Sequence, residues 1–187
     1  SSWLEEQVMR CPPQFQSLMP GDRCMVFGKG PHAAVADTIG FKGQLVLLLA
    51  ADTALPSLAY FHTCQIIRVF ATAVKAQQYL SSSKPTAPEV VLAPDSPLLL
   101  PFAERIFSLP VYHSEMRTVR AGTMLGIPTC STGLICCAVA AWMGFKQASA
   151  FGIFGLSSEG LHGTVVSETD VEVLNLLEKD LGFCISR

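Results

Sequence analysis

Charge is scarce in this chain. Only 15% of its 187 residues are Asp, Glu, Lys or Arg, and the formal net charge is −2. Such a balance excludes the basic footprint that a nucleic-acid binder needs to neutralise phosphates. The seven cysteines (Cys11, Cys24, Cys64, Cys130, Cys136, Cys137 and Cys184) include no C-x-x-C pair. That argues against a zinc ribbon or a dithiol redox motif. His32, His62 and His113 stand far apart without ligand spacing, so no metal site is expected. No apolar run is long enough for a membrane span. The uncharged stretch between Arg120 and Lys146 carries Thr123, Pro128, Thr129, Ser131 and Thr132 in its first half, and only Leu134 to Phe145 is apolar throughout. There is no internal repeat and no linker of domain size.

Apolar residues are abundant instead. They make up 50% of the chain, and the mean hydropathy of +0.39 is high for a free-standing soluble protein. This length suits one domain with a real core. The excess implies either a large core or apolar surface covered by partner subunits or lipid. An odd number of cysteines spread over apolar segments reads as reduced, buried thiols rather than a disulfide framework. The first residue is Ser1 rather than Met, which fits removal of a targeting peptide or trimming of the chain.

Hydrophobic patterning orders the chain. Ser1 to Arg10 reads as a short helix, with Ser2 and Glu5 at capping-box spacing, stopped by Cys11-Pro12-Pro13. Strands are expected at Arg23–Phe27, at Gln44–Ala50 as a run buried on both faces, and at Gln65–Phe70. Thr72–Leu80 reads as a helix, Ser81–Pro85 as a surface loop and Glu89–Leu92 as a short strand. Helices are expected at Pro97–Phe107, Ser114–Arg120 and Leu134–Phe145, with a strand at Ala148–Phe154. Ser167-Glu168-Thr169-Asp170 caps a last helix with Val171, Leu174, Leu177 and Leu181 on one face. Gly182 ends it, and a short strand follows at Phe183–Ser186. Strands alternating with helices predict an α/β fold: a single Rossmann-like three-layer α/β/α domain with a mostly parallel sheet, spanning residues 1–187, of which 1–20 form an N-terminal helix and lead-in.

The segment Cys130-Ser131-Thr132-Gly133 before Leu134–Phe145 carries the most chemical information. Ser131 or Thr132 supplies a helix cap there. A helix N-terminus presents N–H groups that the helix itself does not use, together with partial positive charge. It either caps a buried helix plainly or holds a phosphate or carboxylate. Lys29 between Gly28 and Gly30 follows the first strand, where it could meet a phosphate or simply make a tight turn. His162 stands in a Ser- and Gly-rich stretch before the last helix.

Together these pieces resemble the sialyltransferases, Golgi enzymes that move sialic acid from a cytidine-monophosphate donor to a sugar. Cys24-Met25-Val26-Phe27-Gly28-Lys29-Gly30 is similar to the start of the family's first motif, and Ile66-Ile67-Arg68-Val69-Phe70 to its end. Ser131-Thr132-Gly133 and Phe151-Gly152-Ile153-Phe154-Gly155 are similar to the second motif, with Cys130 in place of a proline. His162 and Glu168 match the last motif, one residue further apart than usual. The order of motifs is kept over most of the chain. The resemblance implies the sialyltransferase fold. It makes Gly28, Gly30, Ser131, Thr132 and Gly133 candidates for the donor site, and His162 the candidate general base.

The departures point the other way. The donor-binding Asn of the glycine turn is absent, and Gly40 to Leu49 holds neither the His nor the Asn of the family pattern. The family joins its first cysteine to one late in the second motif's helix. Cys24 is kept, while the partner position falls near Gly144. The expectation is therefore a non-catalytic sialyltransferase-like subunit of a larger assembly, without cofactor. Its partners would be other protein subunits, with contact to a membrane-embedded assembly conceivable, in a mitochondrion or another reducing compartment. The alternative is an active, divergent glycosyltransferase in the Golgi lumen. It would use a CMP-linked sugar, with His162 as base and Thr132, Gly133 and Gly30 at the donor phosphate. Leu125–Ser131 and Met19–Asp22 are also similar to loops of the purine nucleoside phosphorylases, at a spacing much too long for that family.

Overall fold

A computed structural model describes residues 23–28, 46–55, 64–82, 89–94, 96–109, 131–153 and 168–186. The expected helices at Ser1–Arg10 and Ser114–Arg120, and the residues Lys29, Gly30 and His162, lie outside these described residues. Seven strands form one sheet: β1 (Arg23–Phe27), β2 (Val46–Ala50), β3 (Gln65–Val69), β4 (Glu89–Pro94), β5 (Ile106–Leu109), β6 (Gln147–Phe151) and β7 (Cys184–Ser186). Their order is β5-β4-β3-β2-β1-β6-β7 and every pairing is parallel. The mostly parallel sheet read from the sequence is thus wholly parallel among the described strands.

Val-Leu-Leu-Leu-Ala at β2 is buried at every position, as a central strand covered on both faces must be. In a parallel pair, residues in register share a face. Val26, Leu48, Ile67 and Leu92 pack on one side with helix α2 (Thr132–Met143) and with Val173 and Leu177. These two residues belong to helix α3 (Glu168–Asn175) and to the π-helical turn Leu176–Asp180 that extends it. On the opposite side Val91 and Ala93 pack with Ala76 and Leu80 of helix α1 (Ala73–Ser82) and with Leu99 of the 3-10 helix Pro97–Arg105. Helices therefore lie on both faces of the sheet, in a Rossmann-like α/β arrangement.

Helix α2 is apolar on all sides, and each residue from Gly133 to Met143 is buried. One side rests on β1, β2, β3 and β6 and another on α3. Its carboxyl end closes at Gly144 (φ 102°), with Gly144 N–H on Ala141 O at 3.0 Å and Phe145 N–H on Ala140 O at 3.0 Å. This paired bonding satisfies carbonyls that the helix leaves over.

Three expectations are corrected. Pro97–Phe107 is a 3-10 helix ending at Arg105, followed directly by β5; Pro101 and the non-helical backbone of Phe102 prevent a continuous α-helix. The last helix buries Val173 and Leu177, whereas Val171 is exposed. The π-helical turn, with Leu181 N–H on Leu176 O, departs from the 3.6-residue period on which the expected face was drawn. Cys24, Cys136 and Cys137 are buried as read, but Cys184 is exposed on the edge strand β7.

The core is expected to dominate stability. Leu48→Ala, at a fully buried position, should cost about 2–5 kcal/mol in urea unfolding. Leu100→Ala, at a position 71% exposed, should stay within about 0.5 kcal/mol of the parent.

Candidate functional site

The strand order fixes where a ligand crevice belongs. From β1 the chain builds outward through β2, β3, β4 and β5, then returns to lay β6 on the other side of β1. In open parallel sheets the crevice opens at such a switch of direction, outside the carboxyl ends of the two strands. Here those ends are Phe27-Gly28 and Phe151-Gly152-Ile153.

The backbones approach closely at this point. Gly28 N–H donates to Phe151 O at 2.8 Å. A Cβ on Gly28 would lie 2.5 Å from Gly152 O, so only glycine fits. A Cβ on Gly133 would lie 2.6 Å from Ile153 Cγ2. Ile153 thus reaches both glycines, since its Cγ1 is also 3.3 Å from the Cβ position of Gly28. Of the candidate residues, Gly28, Ser131, Thr132 and Gly133 converge on the ends of β1 and β6. Gly30 and His162 fall outside the described residues.

Ser131 is the N-cap of α2, but its hydroxyl makes no capping hydrogen bond, contrary to the expectation that Ser131 or Thr132 would cap with a side chain. The first intrahelical bond runs from Ile135 N–H to Ser131 O at 3.1 Å. The N–H groups of Thr132, Gly133 and Leu134 therefore precede it, at the positive end of the helix dipole. A carboxylate already sits nearby: Ser131 N–H donates to Asp170 Oδ1 at 2.9 Å. Asp170 was read as part of the cap of its own helix; it also serves the cap of α2, across 39 residues of sequence.

Beyond β2, a buried ionic cluster on β3 and β4 braces the turn after β2. Arg68 on β3 is 6% exposed. Its Nε donates to Glu89 Oε2 at 3.2 Å, and its Nη1 donates to Ala51 O at 2.8 Å and Thr53 O at 2.7 Å. The guanidinium lies 4.6 Å from the centre of the Tyr79 ring, and Tyr79 Oη donates to Glu89 Oε1. A buried cation is tolerable only when so satisfied. What Arg68 grips is the turn after β2, where Thr53 N–H and Thr53 Oγ1 both donate to Ala50 O. Ala51 has φ 48° there, a left-handed backbone that costs an alanine about 1 kcal/mol.

Burial, and then the hydrogen bond to Glu89, push the Tyr79 hydroxyl up from 10.0 to about 12 against the lowering pull of Arg68. Burial foremost, and then Cys137, hold the Cys24 thiol well above its ordinary value. Cys24 Sγ points to Gln147 O at 3.8 Å and is a free thiol. Among the described residues no group of three or more His, Cys, Asp and Glu could hold a metal ion. No described helix is long and apolar enough to cross a membrane.

Sequence reasoning passed over Arg68, Glu89, Tyr79 and Asp170 as site-building residues. The only advance signal was an arginine inside an otherwise apolar strand, a placement that demands buried partners.

Two outcomes follow from this geometry. Gly28→Ala should destabilise the fold by about 1–3 kcal/mol in urea unfolding, because its methyl meets backbone rather than a movable side chain. Tyr79 is kept neutral in the fold to higher pH than in the unfolded chain. Its contribution is fully present below pH 10.0 and is lost as pH rises through about 12. Unfolding free energy measured across that window should fall less steeply in Tyr79→Phe than in the parent.

Comparison with known protein families, with curated proteins and with solved structures finds no match to this chain.

Proposed function

We propose that this is a sialyltransferase-like domain that binds a cytidine nucleotide, free or carrying a sugar, in the crevice at the carboxyl ends of β1 and β6. One observation carries the reading. The glycine after β1 and the Ser-Thr-Gly entry to α2, more than a hundred residues later, meet at the point where strand order reverses. The order of the motifs supports the class of ligand. On this reading the phosphate lies against the first N–H groups of α2, between Gly28 and Thr132-Gly133. His162 would be the general base if a sugar is transferred. No metal is required, because protein groups neutralise the leaving phosphate.

Asp170 favours a second reading. A carboxylate at the N-terminus of α2 answers the helix dipole from within the chain and repels a phosphate placed there. Ile153 fills the junction between the two glycines with hydrocarbon. These features fit a non-catalytic subunit of a larger assembly, with a mitochondrial location and other protein subunits as partners. The free, buried Cys24 suits a reducing compartment better than the Golgi lumen. The exposed Val74, Leu98 and Leu100, on two elements that pack together, are surface a partner could cover.

Calorimetry with cytidine monophosphate separates the readings. The first requires binding at or below millimolar nucleotide, weakened in Thr132→Val. It also requires binding to tighten about two- to fivefold in Asp170→Asn, which keeps an acceptor for Ser131 N–H but removes the charge. Absence of heat at millimolar nucleotide would remove the first reading and leave the second.

A further inference from the structure

We propose that the exposed apolar surface shared by helix α1 and the 3-10 helix Pro97–Arg105 docks on the same surface of a second copy of this chain, with Lys75 of each copy facing Glu104 of the other. The inference stands apart from nucleotide binding and names one partner for a surface that the second reading leaves open.

The surface follows from the period of the 3-10 helix. Three residues make a turn, so Leu99 and Phe102 fall on one row, which packs into the core. Leu98 and Pro101 fall on a second row, and Pro97 and Leu100 on a third. These four are exposed, as is Ala103, and exposure reaches 42% at Leu98 and 71% at Leu100. Val74, 50% exposed, adds to them from α1, which packs against this helix. The outermost strand on that side, β5, begins directly afterwards at Ile106, so the surface stands at a margin of the sheet.

Little polar backbone has to lose water there. Pro97 and Pro101 have no N–H to satisfy. Leu98 N–H donates to Ser96 Oγ at 3.3 Å and Leu99 N–H to Ser96 O at 3.0 Å. Two prolines also fix the backbone before any partner arrives, so docking orders little that is not ordered already.

The charges select the partner. Lys75 is exposed and is the only charged residue of α1. Glu104 is exposed at the far end of the uncharged run Pro97–Ala103. Among the described residues neither side chain has an ion pair. The apolar centre thus carries an unanswered cation on one element and an unanswered anion on the other. A twofold axis through such a centre sets α1 of each copy on the 3-10 helix of its mate and answers both charges at once. A net charge of −2 leaves little repulsion between copies. A lipid surface fits less well, because binding to anionic headgroups calls for a basic face, and here one lysine is offset by Glu104.

Sedimentation equilibrium over about 1–500 µM protein tests this. The parent should pass from monomer to dimer with no larger species, since a surface closed by a twofold axis leaves nothing for a third copy. Leu100→Asp should weaken the dimer about tenfold or more; should that variant not fold, Leu98→Asp is expected to do the same. Lys75→Glu and Glu104→Lys should each weaken it about three- to fivefold by setting like charges opposite, and the two together should return to within about twofold of the parent. A parent that stays monomeric throughout would overturn the proposal and leave the surface to a different subunit. A dimer untouched by the aspartate variants, or charge reversals that do not rescue each other, would overturn it as well. None of these outcomes bears on nucleotide binding, which calorimetry decides separately.

Discussion

All strands of the described sheet run the same way, so all their carboxyl ends fall on one edge. The candidate site follows from that polarity. A helix that returns antiparallel to the strands must start at the carboxyl edge, and α2 is apolar enough to be pinned beneath the sheet along its whole length. Its polar entry, Ser131 to Gly133, is thereby delivered to the edge where β1 ends in Gly28. The close approach at both glycines is a packing requirement first, and any ligand chemistry is added to it.

The same edge carries two electrostatic arrangements of different character. At β2 and β3 the charges are buried and mutually satisfied, and they determine backbone shape. At α2 and α3 the charge is a single carboxylate placed against a helix terminus near the surface. The first arrangement is costly to disturb because removing one member strands the others in a medium of low dielectric. The second is weakly coupled and adjustable. Binding in this crevice would be tuned at Asp170 without disturbing the fold, whereas changes at Arg68 would alter fold and site together.

The strands were legible because parallel strands buried on both faces leave continuous apolar runs, as in Val46–Ala50. Helix α2 was legible for its unbroken apolar length, but the expected Leu134–Phe145 overran its end, which the left-handed Gly144 sets at Met143. The 3-10 helix and β5 were not, since two prolines among leucines carry no clean period. In the site, Gly28, Ser131, Thr132 and Gly133 were named from a resemblance of motifs, whereas the contact of Gly28 and Gly133 with the one side chain of Ile153 is visible only in the fold. The contacts of Asp170 with Ser131, and of Arg68 with Glu89 and Thr53, join residues 39, 21 and 15 positions apart. No local rule links such positions. The left-handed Ala51 was invisible as well, because alanine gives no sign of a positive φ.

The pairing of β1 with β6 has a consequence for biosynthesis. Cys24 and Gln147, which meet at the start of that pair, are 123 residues apart. As the chain emerges from the ribosome, β1 has one open side until β6, more than a hundred residues later, has been made. During that interval Met25, Val26 and Phe27 lack the neighbour that covers them in the finished sheet. A nascent chain with so few charges to keep its copies apart would depend on chaperone shelter until the late strand arrives.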